Sequence, residues 1–276
     1  IVTGCNGKIG REAVIALKRS GHNVIGIDLR SSNKENLRTI EGDCTDFGQI
    51  MSIMTGTDTY DKPDAVLHLA GIPAPGLSSD EIIFKNNTLA NYNVFTAAAK
   101  AGIQKIVWAS SETILGLPFT TPPDYVPLDE HIPDRPEWSY SLSKKTGEVI
   151  ADEIVRWYEG LSIISLRFSN VITAEEYDTL RSTIKEDERK SNLWSYIDAR
   201  DAGEACRLAI ESKVEGHERL IIAAADTISE RPTEELLNQY FPDVTRKKQF
   251  SKFESLENCS KAAQLIGFYP KFSWRS

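Results

Sequence analysis

The 276 residues carry 32 lysines and arginines against 40 aspartates and glutamates, a net charge of −8, with 41% apolar and 26% charged residues. That length and apolar share support one large domain, or a large domain with a smaller lobe, around a sizeable core. The acidic balance argues against a nucleic-acid or anionic-membrane partner, since the longest basic cluster is only Arg246, Lys247 and Lys248.

In chain order, residues 1–2 close a first strand, and because the sequence starts inside it, residues are expected to precede Ile1. Residues 8–20 place Ile9, Ala13 and Leu17 at helical spacing, and Gly21 stops that helix. A second strand follows at 22–28, a short helix at 46–55, a buried strand at 65–70 and a long helix at 80–101 closed by Gly102. Then come a strand at 106–109, a long helix at 139–159, a strand at 161–168 and one more at 220–225. Strands that alternate with helices, and that are apolar throughout, predict an α/β parallel sheet covered on both faces. The segment 115–138 interrupts this rhythm with six prolines and reads as a long functional or mobile loop. Beyond residue 171 the pattern loosens, and the charged stretch 181–190 reads as a solvated helix face. No apolar run reaches the ~20 residues that span a bilayer, and no signal-peptide pattern is present. Cys5, Cys44, Cys206 and Cys259 lack any metal-ligand spacing, so a cytoplasmic protein with reduced thiols and no metal is expected.

Residues 3–10, TGCNGKIG, put Gly4, Gly7 and Gly10 at a turn from strand to helix. The chain must turn tightly there, its backbone must approach a pyrophosphate, and the helix N-terminus supplies N–H groups for phosphate oxygens. Asp28 ends the second strand, where a carboxylate accepts from ribose hydroxyls and repels a 2′-phosphate, so NAD is expected over NADP. Arg30 weakens that preference. Asp43 reads either as an acceptor for an adenine amino group or as a turn or cap aspartate. The predicted fold is a Rossmann-type doubly wound parallel sheet with a small C-terminal substrate lobe. Its dinucleotide-binding domain covers 1–170, with 193–225 returning to it, and the lobe comprises 171–192 and 226–276.

Tyr140 is followed four residues later by Lys144, at the opening of a helix, so both side chains share one face. A free phenol titrates near ~10 and is a poor base at neutral pH, whereas a nearby ammonium favours the phenolate. Tyr140 would then take a proton from a substrate hydroxyl as hydride leaves the carbon. Ser110 and Ser111 end a strand at the edge where such sheets bind ligands. His68 reads as a core histidine with one satisfied nitrogen. His22, His131 and His217 read as turn or surface residues, and the side chains of Cys5 and Lys8 as pointing to solvent. Trp138 and Trp194 read as ligand contacts or packing residues, and Glu112 as a substrate contact or a cap.

With these motifs in order, the chain resembles the extended short-chain dehydrogenase/reductase family of NAD-dependent sugar-nucleotide epimerases and dehydratases. TGCNGKIG matches its TGxxGxxG, SSETILG its serine-rich segment, YSLSK its YxxxK and LRFSNV its LRxxNV, while WSYIDARD resembles its V-H-V-D-D segment before a helix. The resemblance implies Ser111, Tyr140, Lys144 and Asn87 as catalytic residues. It implies a cofactor set of Gly4, Asn6, Gly7, Lys8, Ile9, Gly10, Asp28, Leu29, Arg30, Asp43, Cys44, Leu69, Ala70, Gly71, Asn87, Tyr140, Lys144 and Phe168. The implied substrate set is Pro73, Ser111, Glu112, Thr113, Asn170 and Arg200. Leu115-Gly116 replaces the usual Tyr-Gly, and Glu112-Thr113 replaces the Asp-Glu pair of dehydratases, which argues against dehydration. The short lobe and the ASSETILG segment look most like the uronate-dehydrogenase branch. The expected function is therefore NAD-dependent oxidoreduction at a sugar or sugar-acid carbon. An epimerase and a non-catalytic nucleotide sensor stand as alternatives. A homodimer built from the 88–101 and 139–159 helices is implied as well.

Overall fold

The computed structural model describes residues 1–31, 37–183 and 186–275. Seven parallel strands form the central sheet: β1 (Val2–Thr3), β2 (Ile25–Asp28), β3 (Arg38–Glu41), β4 (Ala65–His68), β5 (Lys105–Ser111), β7 (Ser162–Phe168) and β10 (Gly216–Ile222). Their spatial order is β10-β7-β5-β4-β1-β2-β3. The strand order therefore reverses between β1 and β4, and ligands of such sheets bind in the crevice beyond that point.

Helices cover both faces, as the apolar strands require. On one face α1 (Lys8–Arg19) packs against α7 (Ala199–Glu211), beside α9 (Ser260–Ile266). Ala13, Val14 and Leu17 of α1 meet Ala202, Ala205 and Cys206 of α7 in a core that includes Leu67, Val107 and Ile164 of the sheet. On the other face lie α2 (Phe47–Met54), α3 (Asp80–Lys100) and α4 (Ser139–Trp157), burying Ile50, Val94, Phe95 and Ala151 against Ile106, Trp108 and Ile163. Asp46 caps α2 by accepting from the Gln49 N–H at 3.0 Å, and Asp80 and Glu81 complement the N-terminal dipole of α3.

A third core lies beside the two that cover the sheet. It draws Leu115, Leu117, Val126 and Leu128 from the proline-rich loop together with Tyr177, Trp194, Tyr196, Leu236, Leu256 and Trp274. Outside the central sheet lie the short pairings β6 (Tyr125–Val126) with β11 (Thr245–Arg246) and β8 (Val171–Ile172) with β9 (Ile197–Asp198), and the helices α5 (Tyr177–Thr183), α6 (Glu186–Arg189) and α8 (Thr233–Tyr240). The charged stretch 181–190 is thus divided between α5 and α6, and its residues 184–185 lie outside the described residues. Among the described residues, no helix is long and apolar enough to cross a membrane.

Candidate active site

A cleft of about 1040 Å³ opens at the carboxyl ends of the sheet strands, at the upper end of the usual range for ligand pockets. One end is made by the glycine-rich turn. Gly4 has φ +67°, and a Cβ there would lie 2.7 Å from the Ala70 nitrogen, so β1 can pass this close to the end of β4 only with glycine. A Cβ on Gly10 would fall 2.2 Å from the Gly4 carbonyl oxygen. The N-terminus of α1 follows with no side-chain cap and no acidic residue in its first turn. Its first N–H groups and dipole therefore face the cleft without an internal partner, a cradle that suits a diphosphate.

Asp28 stands at the far end of this cradle. Its Oδ2 accepts from the Asn6 N–H at 3.0 Å and its Oδ1 from the Leu29 N–H at 2.9 Å. The carboxylate is thereby held with lone pairs left for hydroxyls. Asp43 lines the cleft while its Oδ1 accepts from both the backbone and the hydroxyl of Thr45 at 2.8 Å. Thr3 and His68 fasten the strands beneath. The Thr3 hydroxyl accepts from the Leu69 and Ala70 N–H groups at 3.2 Å. Its own proton is directed to His68 Nδ1 at 2.7 Å, which leaves Nε2–H facing Asn91 Oδ1 at 3.1 Å. Both nitrogens of His68, rather than one, are thus partnered. Burial, aided by the charge of Lys144, pushes its pKa down to about 3, so it stays neutral.

At the other end Ser111, Tyr140 and Lys144 meet. The Ser111 hydroxyl oxygen accepts from the Thr113 N–H at 3.2 Å and the Thr113 hydroxyl at 3.0 Å. Its own proton is thereby left to donate, and its nearness to Tyr140 works against the rise of the phenol. Burial nevertheless dominates and pushes the Tyr140 phenol up to about 12. Lys144 donates to the Ala109 carbonyl at 2.7 Å, and its Nζ lies 5.6 Å from the centre of the Tyr140 ring. Burial pushes its pKa down to about 8.

The cleft brings together most of the residues singled out from sequence, from Gly4, Asn6, Gly7, Lys8, Ile9 and Gly10 to Asp28, Leu29, Asp43, Cys44, Leu69, Ala70, Gly71, Pro73, Ser111, Glu112, Thr113, Tyr140, Lys144, Phe168 and Asn170. Three lie outside its lining. Asn87 instead clamps the turn after β4, accepting from the Ile72 N–H at 2.8 Å and donating to the Ile72 carbonyl at 3.0 Å, and it reaches Ser143 at 3.4 Å. Arg30 is exposed, and only its carbonyl contributes, to the Asn6 side chain at 2.9 Å. Arg200 is held by the buried Asp198 through Nε at 2.9 Å and Nη2 at 2.7 Å and stacks on Phe272. Lys8 lines the cleft, but its ammonium pairs with Glu176 at 2.5 Å instead of pointing free to solvent. His217 is likewise no surface residue: it bonds Ser165 at 2.7 Å and Asp152 at 2.8 Å. Trp194 packs against Tyr240 and Phe241 in the third core.

Glu112 is buried beside Ser111 and near Tyr140. It does not cap the turn that follows it; Ser111 does. Ser169, Arg189, Ser191 and Asn192 line the cleft near it, and Glu257 faces it from behind. None of these five was singled out from sequence. They arrive from the residue after β7, the end of α6 with the turn after it, and a distant irregular segment, and no local spacing marks them. Among the described residues, no group of three histidines, cysteines or acids is placed to hold a metal.

A profile of the NAD dependent epimerase/dehydratase family matches residues 1–224. The chain is 32% identical over 222 residues to a UDP-glucose 4-epimerase of Neisseria meningitidis serogroup C, covering 76% of this chain and 63% of that protein. It is 28% identical over 225 residues to an L-arabinose 1-dehydrogenase (NAD(P)(+)) of Haloferax volcanii, covering 77% of this chain and 82% of the relative. The fold is similar to that of an NAD-bound short-chain dehydrogenase/reductase superfamily protein from Agrobacterium tumefaciens, with TM-score 0.74 and 19% identity over 99% of this chain and 93% of the other. A mutated uronate dehydrogenase stands at 0.71 and 21%, over 99% and 82%. A Thermotoga maritima UDP-glucose 4-epimerase stands at 0.72 and 22%, over 99% and 93%. These values show no particular closeness to uronate dehydrogenases.

Proposed function

Because the chain belongs to the NAD dependent epimerase/dehydratase family, we propose that it moves a hydride between NAD and a carbon of a sugar or sugar acid, with Tyr140 as acid/base. The observation that carries this reading is the meeting of Ser111, Tyr140 and Lys144 in the same cleft as the uncapped start of α1 and Asp28. The turn 4–10 and the N–H groups of α1 hold the diphosphate, Asp28 takes the adenosine ribose hydroxyls, and Leu69–Gly71 and Phe168 line the path to the nicotinamide. NAD, when bound, supplies the hydride acceptor. Ser111 orients the reacting oxygen, Tyr140 removes or returns its proton, and Lys144, fixed by the Ala109 carbonyl, favours the phenolate. Asn87 is a positioning residue: it sets the Ile72 backbone and touches Ser143, next to Lys144. Residues 171–192 and 226–276 form the substrate lobe on the Rossmann domain of 1–170 and 193–225. The four free cysteines, three of them buried, suit a reducing, cytoplasmic setting. The 109–116 segment, which resembles the uronate-dehydrogenase branch, points to a sugar acid.

The test is absorbance of reduced nicotinamide on purified protein with NAD and a panel of free sugars, sugar acids and nucleotide sugars. Net NADH with one of them is the expected result. A product inverted at one carbon without net NADH would instead select the epimerase reading, which the 4-epimerase relatives favour. NAD binding with neither outcome overturns hydride transfer and leaves a sensor.

The same proposal includes a homodimer. Ile82, Leu89 and Tyr92 on α3 and Leu142, Val149 and Trp157 on α4 are exposed apolar side chains at helical spacing on two helices that pack together. Exposed apolar side chains repeated along two adjoining helices suit an interface. Sedimentation should give a dimer at micromolar concentration, and Leu89→Glu with Val149→Glu should give a folded monomer. Wild-type protein that sediments as a monomer would rule the dimer out.

A further inference from the structure

Among the described residues, the cations that line the cleft are Lys8, Lys144 and Arg189. Lys8 is paired with Glu176, and Lys144 donates to the Ala109 carbonyl beneath Tyr140. Arg189 has no such partner. Its Nη1 is buried without a hydrogen bond, and the one charge acting on it, Glu112, stands beyond ion-pair distance. The other arginines that are buried or half-buried among the described residues, Arg167, Arg200, Arg207, Arg219, Arg231, Arg246 and Arg275, each lie within 4.0 Å of a carboxylate oxygen. A guanidinium withdrawn from water is ordinarily paired in this way. Arg189 departs from that rule at the wall of a cavity, where a ligand can supply the missing acceptor. Its backbone is fixed in advance. The Trp194 N–H donates to the Arg189 carbonyl at 3.1 Å, the Ser195 N–H to that of Asn192 at 3.0 Å, and the Phe119 N–H to that of Ser191 at 2.6 Å. Leu193 and Trp194, both wholly buried, carry this turn at φ of 55° and 52°, a strained conformation that persists only where packing over-determines it and that gathers at ligand sites.

The position and the chemistry of this corner narrow the ligand group. Arg189 neighbours Glu112, which follows Ser111 in the chain and lies near Tyr140. An anion held there belongs to the sugar that reacts, since the cradle for the cofactor diphosphate is at the start of α1, at the other end of the cleft. The planar guanidinium matches a carboxylate through two parallel hydrogen bonds. One free cation balances one negative charge, whereas a diphosphate would leave excess charge in a buried corner that already holds the Glu112 carboxyl. Glu112, 6% exposed, has no ion pair among the described residues, and a buried carboxyl without a cation at contact favours its protonated form. Burial, then Glu257, does push it well above its usual range. Protonated, it adds a donor beside Arg189, and the buried, unpartnered hydroxyl of Ser169 adds another.

Resting on the hydride-transfer reading above, we infer that Arg189 is the specificity-determining residue of the substrate site: its unpaired guanidinium binds the carboxylate of a sugar acid and gives the acid preference over its neutral counterpart. Matched pairs that differ only in a carboxylate or a hydroxymethyl group test this, D-galacturonate with D-galactose and D-glucuronate with D-glucose, with UDP-glucose as a diphosphate control. Calorimetric binding and turnover are both measured on the NAD-loaded protein. The acid of the best pair should bind and react at least roughly tenfold better than the neutral sugar. Arg189→Met, which keeps the length and removes the charge, should weaken the acid by roughly thirtyfold, as the loss of one partner of a buried charge pair does. The loss should fall mainly on KM and leave the neutral sugar and NAD nearly unaffected. Arg189→Lys, which keeps the charge without the planar fork, should lie between the two. Thermal melts check that both variants fold, and the wild-type ratios test the inference without either. A neutral member preferred by the wild type, equal binding within every pair, no binding of any member, or an equal loss for acid and neutral sugar in Arg189→Met overturns the inference. A loss for UDP-glucose as large as that for the acid assigns Arg189 to a diphosphate and overturns it too. Acid-selective binding with neither NADH nor an inverted product sinks hydride transfer but leaves Arg189 its role.

Discussion

Tyr140→Phe should lower turnover by roughly 10²–10⁴-fold, the share general acid–base catalysis supplies, while NAD affinity stays within about twofold because only a transition-state interaction is removed. The physical case rests on two opposed effects. Burial holds the phenol at about 12, so bringing it near neutrality takes roughly 5–7 kcal/mol of differential interaction. A positive charge ~5 Å away at an effective permittivity of ~20 contributes roughly 3 kcal/mol. Lys144 provides one such charge, 5.6 Å from the ring centre, and the oxidised nicotinamide carries the second. Two charges suffice where one does not, so the base is strong only in the ternary complex. Because burial lowers Lys144 to about 8, its charge is lost as pH rises through that value. The oxidation rate should accordingly climb towards pH 8 and level off above it. The phenylalanine variant should show a flat, residual profile with unchanged thermal stability. Substantial activity in that variant would remove Tyr140 from the mechanism.

The α/β rhythm was readable because strands buried on both faces carry short runs of large apolar residues, such as Ile163 and Ile164 in β7, where all seven residues are buried. The helix α1 was readable from its one-sided pattern, and the turn before it from glycines that the packing requires. The strand β3 escaped because its sequence, Arg-Thr-Ile-Glu, sits at the sheet edge with both ends exposed. It pairs with β2 alone, so no apolar run announces it. Tyr140 and Lys144 were visible because helical spacing is a local rule. Arg200 shows the limit of carrying a role over by segment, since Asp198, two residues away, engages the guanidinium with two bonds. Glu257 and Arg189 are the opposite case. Each reaches the Glu112 corner by a tertiary route of many residues, and neither has a neighbour whose spacing hints at a site.

The largest stability loss is expected below the site, at Arg167. Its guanidinium is 1% exposed, and its Nε and Nη2 donate to Glu148 at 2.9 and 2.7 Å, with a further bond to Asp134 at 2.9 Å. Glu148, wholly buried on α4, also accepts from Ser110 at 2.7 Å and from Arg219 at 3.1 Å. This network ties β5, β7 and β10 to the helix that presents Tyr140. Burial alone would raise the Glu148 carboxyl, but Arg167 holds it below its usual value. Arg167→Met removes the main counter-charge and leaves a carboxylate buried, and breaking such a pair costs roughly 3–5 kcal/mol. For a chain of this size that lowers Tm by roughly 10 °C. Replacing Glu148 with methionine as well should recover much of the loss, because Asp134 keeps Lys145 and Arg219 keeps Asp152, so no buried charge stays unpaired. The pH sign follows from the depressed pKa: the contribution of Glu148 is present above its unfolded value of 4.5 and is lost as pH falls through the folded value. The wild type should thus lose more stability than the double variant on acidification below that range. Thermal melts of the wild type, single and double variants at neutral pH and at about pH 4 measure both effects. A single variant as stable as the wild type would show that the network is not what anchors α4.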